Sequence, residues 1–355
     1  MLLKNRSLYE IARSEAQNVR ILFVSNIREA DSVVDYDGTS VTSEYLSLSQ
    51  HELILEALRE MGYETISFIG ENDFMQCCLE HDFYRHDNKI CIVVNSAQSG
   101  IAIGRKALIP AFCNLNGLWH TNSNPYVVSL ARNKFHCDCI LASQGFPITV
   151  DYLYLPSGGW LSGHSPNIGE KVIAKLNNET SSFGLSSSNV FFYEGNDDHI
   201  RALSLTYNQE VIVQSFIEGY EVEVPVVISD DVEVVLPVGI TVRNQRNLEN
   251  QILDYDIRKN LLFGFYDYNE HNPRVASEIE TCTKNVVRTL GIEGFGRVDF
   301  RINRNGEFFI TDIATNPHIT KGMSFFYAFE QNGFTYPQML ETLLGVTIKR
   351  YKRSH

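Results

Sequence analysis

The chain has 355 residues, 44% of them hydrophobic and 21% charged, with a formal net charge of −13. That length exceeds what one hydrophobic core organises, so two or three subdomains are expected. The acidic balance argues against a nucleic-acid partner, which basic surfaces bind, and no apolar run approaches the roughly 18 residues that cross a bilayer. Residues 1–20 are punctuated by charge instead of carrying an apolar signal core, which reads as a cytoplasmic protein.

In chain order, runs at 19–24, 64–69 and 90–94 read as strands. Between the first two, Leu53, Ile54, Ala57, Leu58 and Met61 keep helical spacing over 48–61. This is the βαβ pattern of an open parallel sheet. One long helix is predicted over 126–143, because Asn124-Pro125 offers a cap followed by proline at the first helical position and Gly145 follows the end. Cys137 and Cys139 cannot share a face of that helix. The seven cysteines are odd in number and contain no C-x-x-C pair, and the ten histidines form no H-x-x-x-H spacing, so neither a disulfide framework nor a zinc site is expected. Further on, 172–175, 190–193, 211–216, 221–228 and 232–238 read as strands, with a helix over 198–205 among them. A helix over 275–290 follows, and another over 336–344 closes the chain. The α/β part and the α+β remainder meet near residue 120.

The most informative stretch is Gly294-Phe295-Gly296-Arg297-Val298-Asp299-Phe300-Arg301, followed by Asn305-Gly306 and then Phe308-Phe309-Ile310-Thr311-Asp312. Both halves alternate as strands do, and Asn-Gly between them is a strong hairpin signal. With Asn305 and Gly306 as the central turn residues, Asp299 lies directly across from Asp312, and Arg297 shares the face of Asp299. Facing carboxylates repel unless a cation sits between them or one is protonated. The alternatives at this point are a metal site beside an arginine and a surface hairpin with solvated charges.

Read together, several segments resemble the ATP-grasp superfamily, and within it the D-alanine:D-alanine ligase group, from about residue 36 to 320. They are Gly38-Thr39-Ser40 near Glu44, Asn116 to Ser123 with Lys134 beyond it, Val172-Ile173-Ala174-Lys175, Glu179 to Gly184, Val211 to Glu221, Leu236-Pro237-Val238, Asp254-Tyr255, the Arg297 and Asp299 strand, and Asp312-Ile313-Ala314-Thr315-Asn316-Pro317. The resemblance implies an α/β and α+β chain in three parts. An N-terminal open parallel domain would span 1–122, a central lid subdomain 123–213 and a catalytic subdomain 214–355.

The resemblance also implies roles. Lys134 and Lys175 would neutralise ATP phosphates, and the loop bearing Ser181 and Ser182 would cradle them through backbone N–H groups. Gln214, Phe216 and Ile217 would form the adenine hinge, and Glu221 would hold the ribose. Asp299 and Asp312, with Asn316 as a candidate third ligand, would bind Mg²⁺, or Mn²⁺ in its place. Arg297 would stabilise charge on the transferred phosphoryl group. Ser181, Tyr255 and Arg258 would belong to the catalytic lid that excludes water from an acylphosphate.

The chain departs from the family pattern in several places. Ala314 stands where the family has a ligating asparagine, and Ser215 where it has a hinge lysine. Arg258 replaces a lysine and Lys259 a tyrosine. His318 and Lys321 stand near the acceptor pocket, where the family has a small glycine, and both are candidate substrate contacts. Glu44 is the candidate binder of the first amino group. The expected activity is therefore an ATP-dependent carboxylate–amine ligase acting on small carboxylates and amines, amino acids among them, with an acceptor other than D-alanine and a role in specialised biosynthesis. Many such ligases are homodimers. The competing class is a non-catalytic, nucleotide-binding regulatory protein, which Ala314 favours.

Overall fold

The computed structural model describes residues 2–28, 35–36, 39–80 and 88–354. Gly38 of the Gly38-Thr39-Ser40 motif lies outside them. Three main sheets follow one another along the chain. The first is parallel, with strands β1 (Val19–Ser25), β4 (Glu64–Ile69), β5 (Ile90–Asn95) and β6 (Trp119–His120) in the order β4-β1-β5-β6; the short pair β2 (Asp35–Tyr36) and β3 (Thr39–Ser40) stands apart from it. The apolar positions of the helix Leu48–Glu60 that recur at helical spacing, Ile54, Ala57 and Leu58, are buried against this sheet.

The second sheet is antiparallel, in the order β7 (Asp151–Tyr154), β10 (Val211–Ser215), β8 (Lys171–Leu176), β9 (Val190–Phe192). The third comprises β11 (Tyr220–Ile228), β12 (Val232–Val234), β13 (Val238–Val242), β14 (Phe263–Asp267), β15 (Gly294–Ile302) and β16 (Phe308–Ala314). Its order is β14-β13-β11-β15-β16, with β12 also beside β11. The helix Pro273–Leu290 buries Val275, Ile279, Val286 and Val287 on this sheet. None of the seven cysteines is in a disulfide. Among the described residues no helix is long and apolar enough to cross a membrane.

Three sequence expectations need correction. The single helix over 126–143 is two helices, Pro125–Arg132 and Lys134–Ser143, because Asn133 leaves the helical region and its side chain caps the second by accepting from the His136 N–H. Both helices contribute to the core of the third sheet, through Val127, Ala131, Cys137 and Leu141. The single strand over 232–238 is broken into β12 and β13. Pro237 has no N–H to offer a ladder, and the chain jogs there before rejoining β11. Finally, the terminal helix runs to Ser354, so the basic stretch 349–352 belongs to it.

The helix Leu2–Ser14 was not anticipated. It lies on Tyr336–Ser354, where Leu8 and Ala12 join the core of the first sheet. The approach is close at Gly345, where a Cβ would stand 2.1 Å from the Leu8 carbonyl oxygen. Gly345→Ala must separate the two helices, and overpacking of this kind costs about 2 kcal/mol. We expect the variant to unfold at a thermal midpoint several degrees lower; an unchanged midpoint would mean that the terminal pairing contributes little.

Candidate functional site

The site is built outward from β15 and β16. Arg297, Asp299 and Arg301 alternate along β15, so all three project to one face of the sheet. Asp299 does face Asp312, as the sequence implied, but by a different route. The turn holds three residues, Arg304, Asn305 and Gly306, with the Asn303 N–H donating to the Glu307 carbonyl and Gly306 in the left-handed region. That shifts the register by one, and a bulge at Thr311 shifts it back. The Thr311 hydroxyl donates to the Asp299 carbonyl at 3.2 Å and fixes the bulge.

On its other side Asp299 faces Glu223 of β11, so three carboxylates lie in a row across β11, β15 and β16. Arg297 spans two of them, donating twice to Asp299 at 2.7 Å and pairing with Glu223 at 2.8 Å. Burial pushes the Asp299 carboxyl up to about 7, with Glu223 and Asp312 adding to the effect and Arg297 opposing it. Asp312 goes the other way. Burial opposes its charge as well, but Lys134, Lys175 and Arg297 together hold it below the usual carboxylate range, with Lys134 at 3.6 Å.

Lys134, Lys175, Arg297, Asp299 and Asp312 all line one cavity of about 200 Å³ between the three sheets. Lys175, on β8, donates to Gln214 of β10 at 2.8 Å, and burial lowers its pKa. Gln214 lines the cavity, but its amide is engaged, with its nitrogen donating to Asp138 and Asp151. Burial, with the neighbouring Asp151 adding to it, drives the Asp138 carboxyl well above the usual carboxylate range, and burial raises Asp151 as well.

Phe216, Ile217 and Glu221 form another wall of the same cavity. The Phe216 N–H is committed to the Lys171 carbonyl. Arg301 organises this end: it donates to the Ile217 carbonyl at 3.0 Å, pairs with Glu221 at 3.3 Å, lies over the Phe216 ring and donates to the carbonyls of Glu249 and Gln251.

Ser181 and Ser182 line the cavity and both have positive φ, 55° and 58°. The Ser182 hydroxyl donates to the Leu253 carbonyl and accepts from Arg258 at 3.0 Å, so the loop after β8 is latched to the segment around 253–258. Arg258 also reaches within 3.9 Å of Glu223. Tyr255 does not line the cavity. Asp254 caps the short helix Tyr255–Lys259, and the Tyr255 N–H donates to the Leu185 carbonyl.

Asn316 lines the cavity with its amide nitrogen donating to the Asn95 carbonyl, so only its oxygen could ligate a cation. His318 also lines it; burial, then Lys106, hold the imidazole at about 4, neutral at physiological pH. Lys321 is exposed, with its ammonium over the Tyr336 ring, and contributes nothing to the cavity. Glu44 reaches the cavity from the first domain, but its carboxylate already accepts from Arg132, Arg105 and both the N–H and hydroxyl of Thr180. A carboxylate offers about four acceptor sites, so in this arrangement little remains for a substrate ammonium.

Sequence reasoning passed over Glu223, Arg301, Arg105, Lys106 and Arg132. The first two were within reach: Glu223 follows Glu221, and Arg301 follows Asp299, at strand alternation within runs already singled out. The other three sit on helical segments 105–107 and 125–132 and meet Glu44 and Glu179 only through the tertiary fold.

The sequence profile described as the D-ala D-ala ligase C-terminus matches residues 142–345. The chain is 25% identical over 265 residues, 70% of its own length and 66% of the relative's, to the D-alanine–D-alanine ligase of Acetivibrio thermocellus. It is also 25% identical over 321 residues, 89% of the chain and 95% of the relative, to the D-alanine–D-alanine ligase of a Marinomonas species. In fold it is similar to the D-alanine–D-alanine ligase of Bacillus anthracis solved in complex with ATP, with a TM-score of 0.68 at 13% identity over 95% of this chain and all of that one. The profile spans more than half of the sequence, and the fold matches over nearly the whole chain: the chain belongs to the D-alanine–D-alanine ligase family and has the ATP-grasp fold.

Proposed function

We propose that the protein is an ATP-dependent carboxylate–amine ligase, forming an amide bond through an acylphosphate, with an acceptor other than D-alanine. The observation that carries this reading is the convergence of Lys134, Lys175 and Arg297 with the facing pair Asp299 and Asp312 on one cavity. Two lysines and an arginine supply the positive charge that a triphosphate needs, and Phe216, Ile217 and Glu221 supply a wall for base and ribose. The Ile217 N–H and nearby carbonyls are the groups for reading the base edge, since the Phe216 N–H is committed elsewhere.

Asp299 and Asp312 fit a divalent cation. They offer hard oxygens directly opposite one another at the cavity wall. Among the described residues no group of three or more His, Cys, Asp and Glu could hold a metal, and magnesium usually binds through one or two carboxylates with phosphate oxygens completing its shell. When bound, the cation would neutralise charge on the phosphates. The residues themselves do the rest. Arg297 would turn from Asp299 toward the transferred phosphoryl group, and the Ser182–Arg258 latch would keep water from the acylphosphate. His318, a neutral imidazole at the cavity wall where the family has glycine, supports an altered acceptor and with it specialised biosynthesis.

Ala314 favours the second reading, a nucleotide-binding protein without turnover. It faces Arg297 in the ladder and cannot ligate. ADP release with Mg-ATP against D- and L-amino acids, singly and in pairs, with mass spectrometry of the product, separates the two. Release that requires two substrates and yields a condensed mass supports the ligase; nucleotide binding with no release across the panel supports the second reading.

Arg297→Ala is expected to lower kcat on the order of 10²–10³-fold and to weaken Mg-ATP binding by a smaller factor, because the contact with the terminal phosphate strengthens as charge develops on it; binding and kcat lost equally would mean that Arg297 serves the ground-state nucleotide alone. Arg301→Met should act at the other end, raising the KM for ATP on the order of tenfold, about 1.4 kcal/mol, with little change in kcat at saturation. A fall in kcat with KM unchanged would contradict the assignment of Arg301 to the hinge.

A further inference from the structure

Glu44, Arg105, Lys106, Arg132, Glu179 and Thr180 form a buried charge cluster on the wall of the same cavity, contributed by four separate segments of the chain. Arg105 pairs with Glu179 at 2.7 Å and reaches Glu44 at 3.4 Å, while Arg132 pairs with Glu44 at 3.2 Å and Glu179 at 2.9 Å. The two arginines and two glutamates therefore satisfy one another. Lys106 is the surplus cation. Its side chain is 18% exposed where Arg105 and Arg132 are 3% and 2% exposed, and it lines the cavity. It holds the Thr180 hydroxyl at 3.1 Å and stands 3.8 Å from Glu44, a loose pairing for an ammonium.

A substrate ammonium brought to this wall would meet three cations and a carboxylate whose lone pairs are already used. An anionic group would meet the Lys106 ammonium and a net positive field in a site sheltered from water, where charge is weakly screened. On the ligase reading of the cavity, on which this rests, we propose that the carboxylate donor is a dicarboxylate: one acid group lies by Arg297 for activation, and a second is held by Lys106. In the empty site burial holds Lys106 at about 7, with Arg132 and Arg105 adding to the effect and Glu44 and Asp312 opposing it; His318 also faces it. An anion at the ammonium would raise that value, so binding is accompanied by proton uptake above neutral pH.

The test uses the full chain with Mg-ATP, the D- and L-amino-acid panel as amine acceptors, and four donors in each stereochemical form: aspartate and glutamate against their neutral isosteres asparagine and glutamine. The expected result is ADP release that favours an acidic member over its amide on the order of tenfold or more. Lys106→Met should raise the KM for the acidic donor by a similar factor and leave the KM for ATP unchanged, and Lys106→Arg should restore most of it by keeping the charge. Equal or better turnover of the amides overturns the inference and leaves the ligase standing. So does a Lys106→Arg variant with normal KM and lost kcat, which would make Lys106 a base, or a loss confined to ATP. If no carboxylate supports ADP release the ligase reading itself falls. Calorimetry of aspartate and glutamate on the complex with a non-hydrolysable ATP analogue then still reads Lys106, and binding that is indifferent to Lys106→Met overturns its role.

Discussion

Asp299 is flanked in its sheet by Glu223 on one side and Asp312 on the other, and the Arg297 guanidinium bridges it to Glu223. Three carboxylates in a row, two of them buried and the third partly so, would repel strongly in a medium of low dielectric, and one arginine cannot balance them. The remaining charge comes from Lys134, on a helix, and Lys175, on the second sheet, which together with Arg297 hold Asp312 ionised. The cavity is therefore a constraint on the whole fold: its carboxylates sit on the third sheet, and their counter-charges come from elements that must pack against it. The break at Asn133 serves this requirement, since it places Lys134 at the start of a helix whose first N–H donates to the Asn177 carbonyl beyond β8.

The same reasoning accounts for the two ends of the cavity. At one, Arg301 is buried among Ile217, Phe216 and Glu221 and draws the carbonyls of Glu249 and Gln251 onto itself, tying the connection after β13 to the end of β10. At the other, Glu44 and Glu179 are neutralised by Arg105 and Arg132 across the boundary of the first and second sheets. Breaking either pairing from one side would leave an uncompensated buried charge, which costs several kcal/mol. These networks give the site its shape before any ligand arrives.

Local pattern made much of the fold legible. Strands β4, β8, β10, β11 and β15 and the helix over 273–290 follow from alternation, helical spacing and capping residues, and the Asp299–Asp312 pairing follows from Asn305-Gly306 even though the turn is longer than that motif suggests, because the Thr311 bulge compensates for the extra turn residue. What stayed hidden depends on contacts far apart in sequence. The helix Leu2–Ser14 is stabilised by the C-terminal helix and not by its own pattern. Arg105 and Arg132 meet Glu44 from 61 and 88 residues away, pairings that no local pattern signals. Tyr255 was matched to a lid by its neighbours, but the cap set by Asp254 and the contact with Leu185 keep it off the cavity.

The most direct test is a crystal structure with Mg²⁺ and a non-hydrolysable ATP analogue, reading the separation of Arg297 from Asp299, now 2.7 Å. A polyphosphate held between Lys134 and Lys175, with Asp299 and Asp312 on the cation and Arg297 swung onto the terminal phosphate, is the predicted result. A nucleotide bound elsewhere, or an Arg297–Asp299 pair that stays closed over the bound triphosphate, would contradict it.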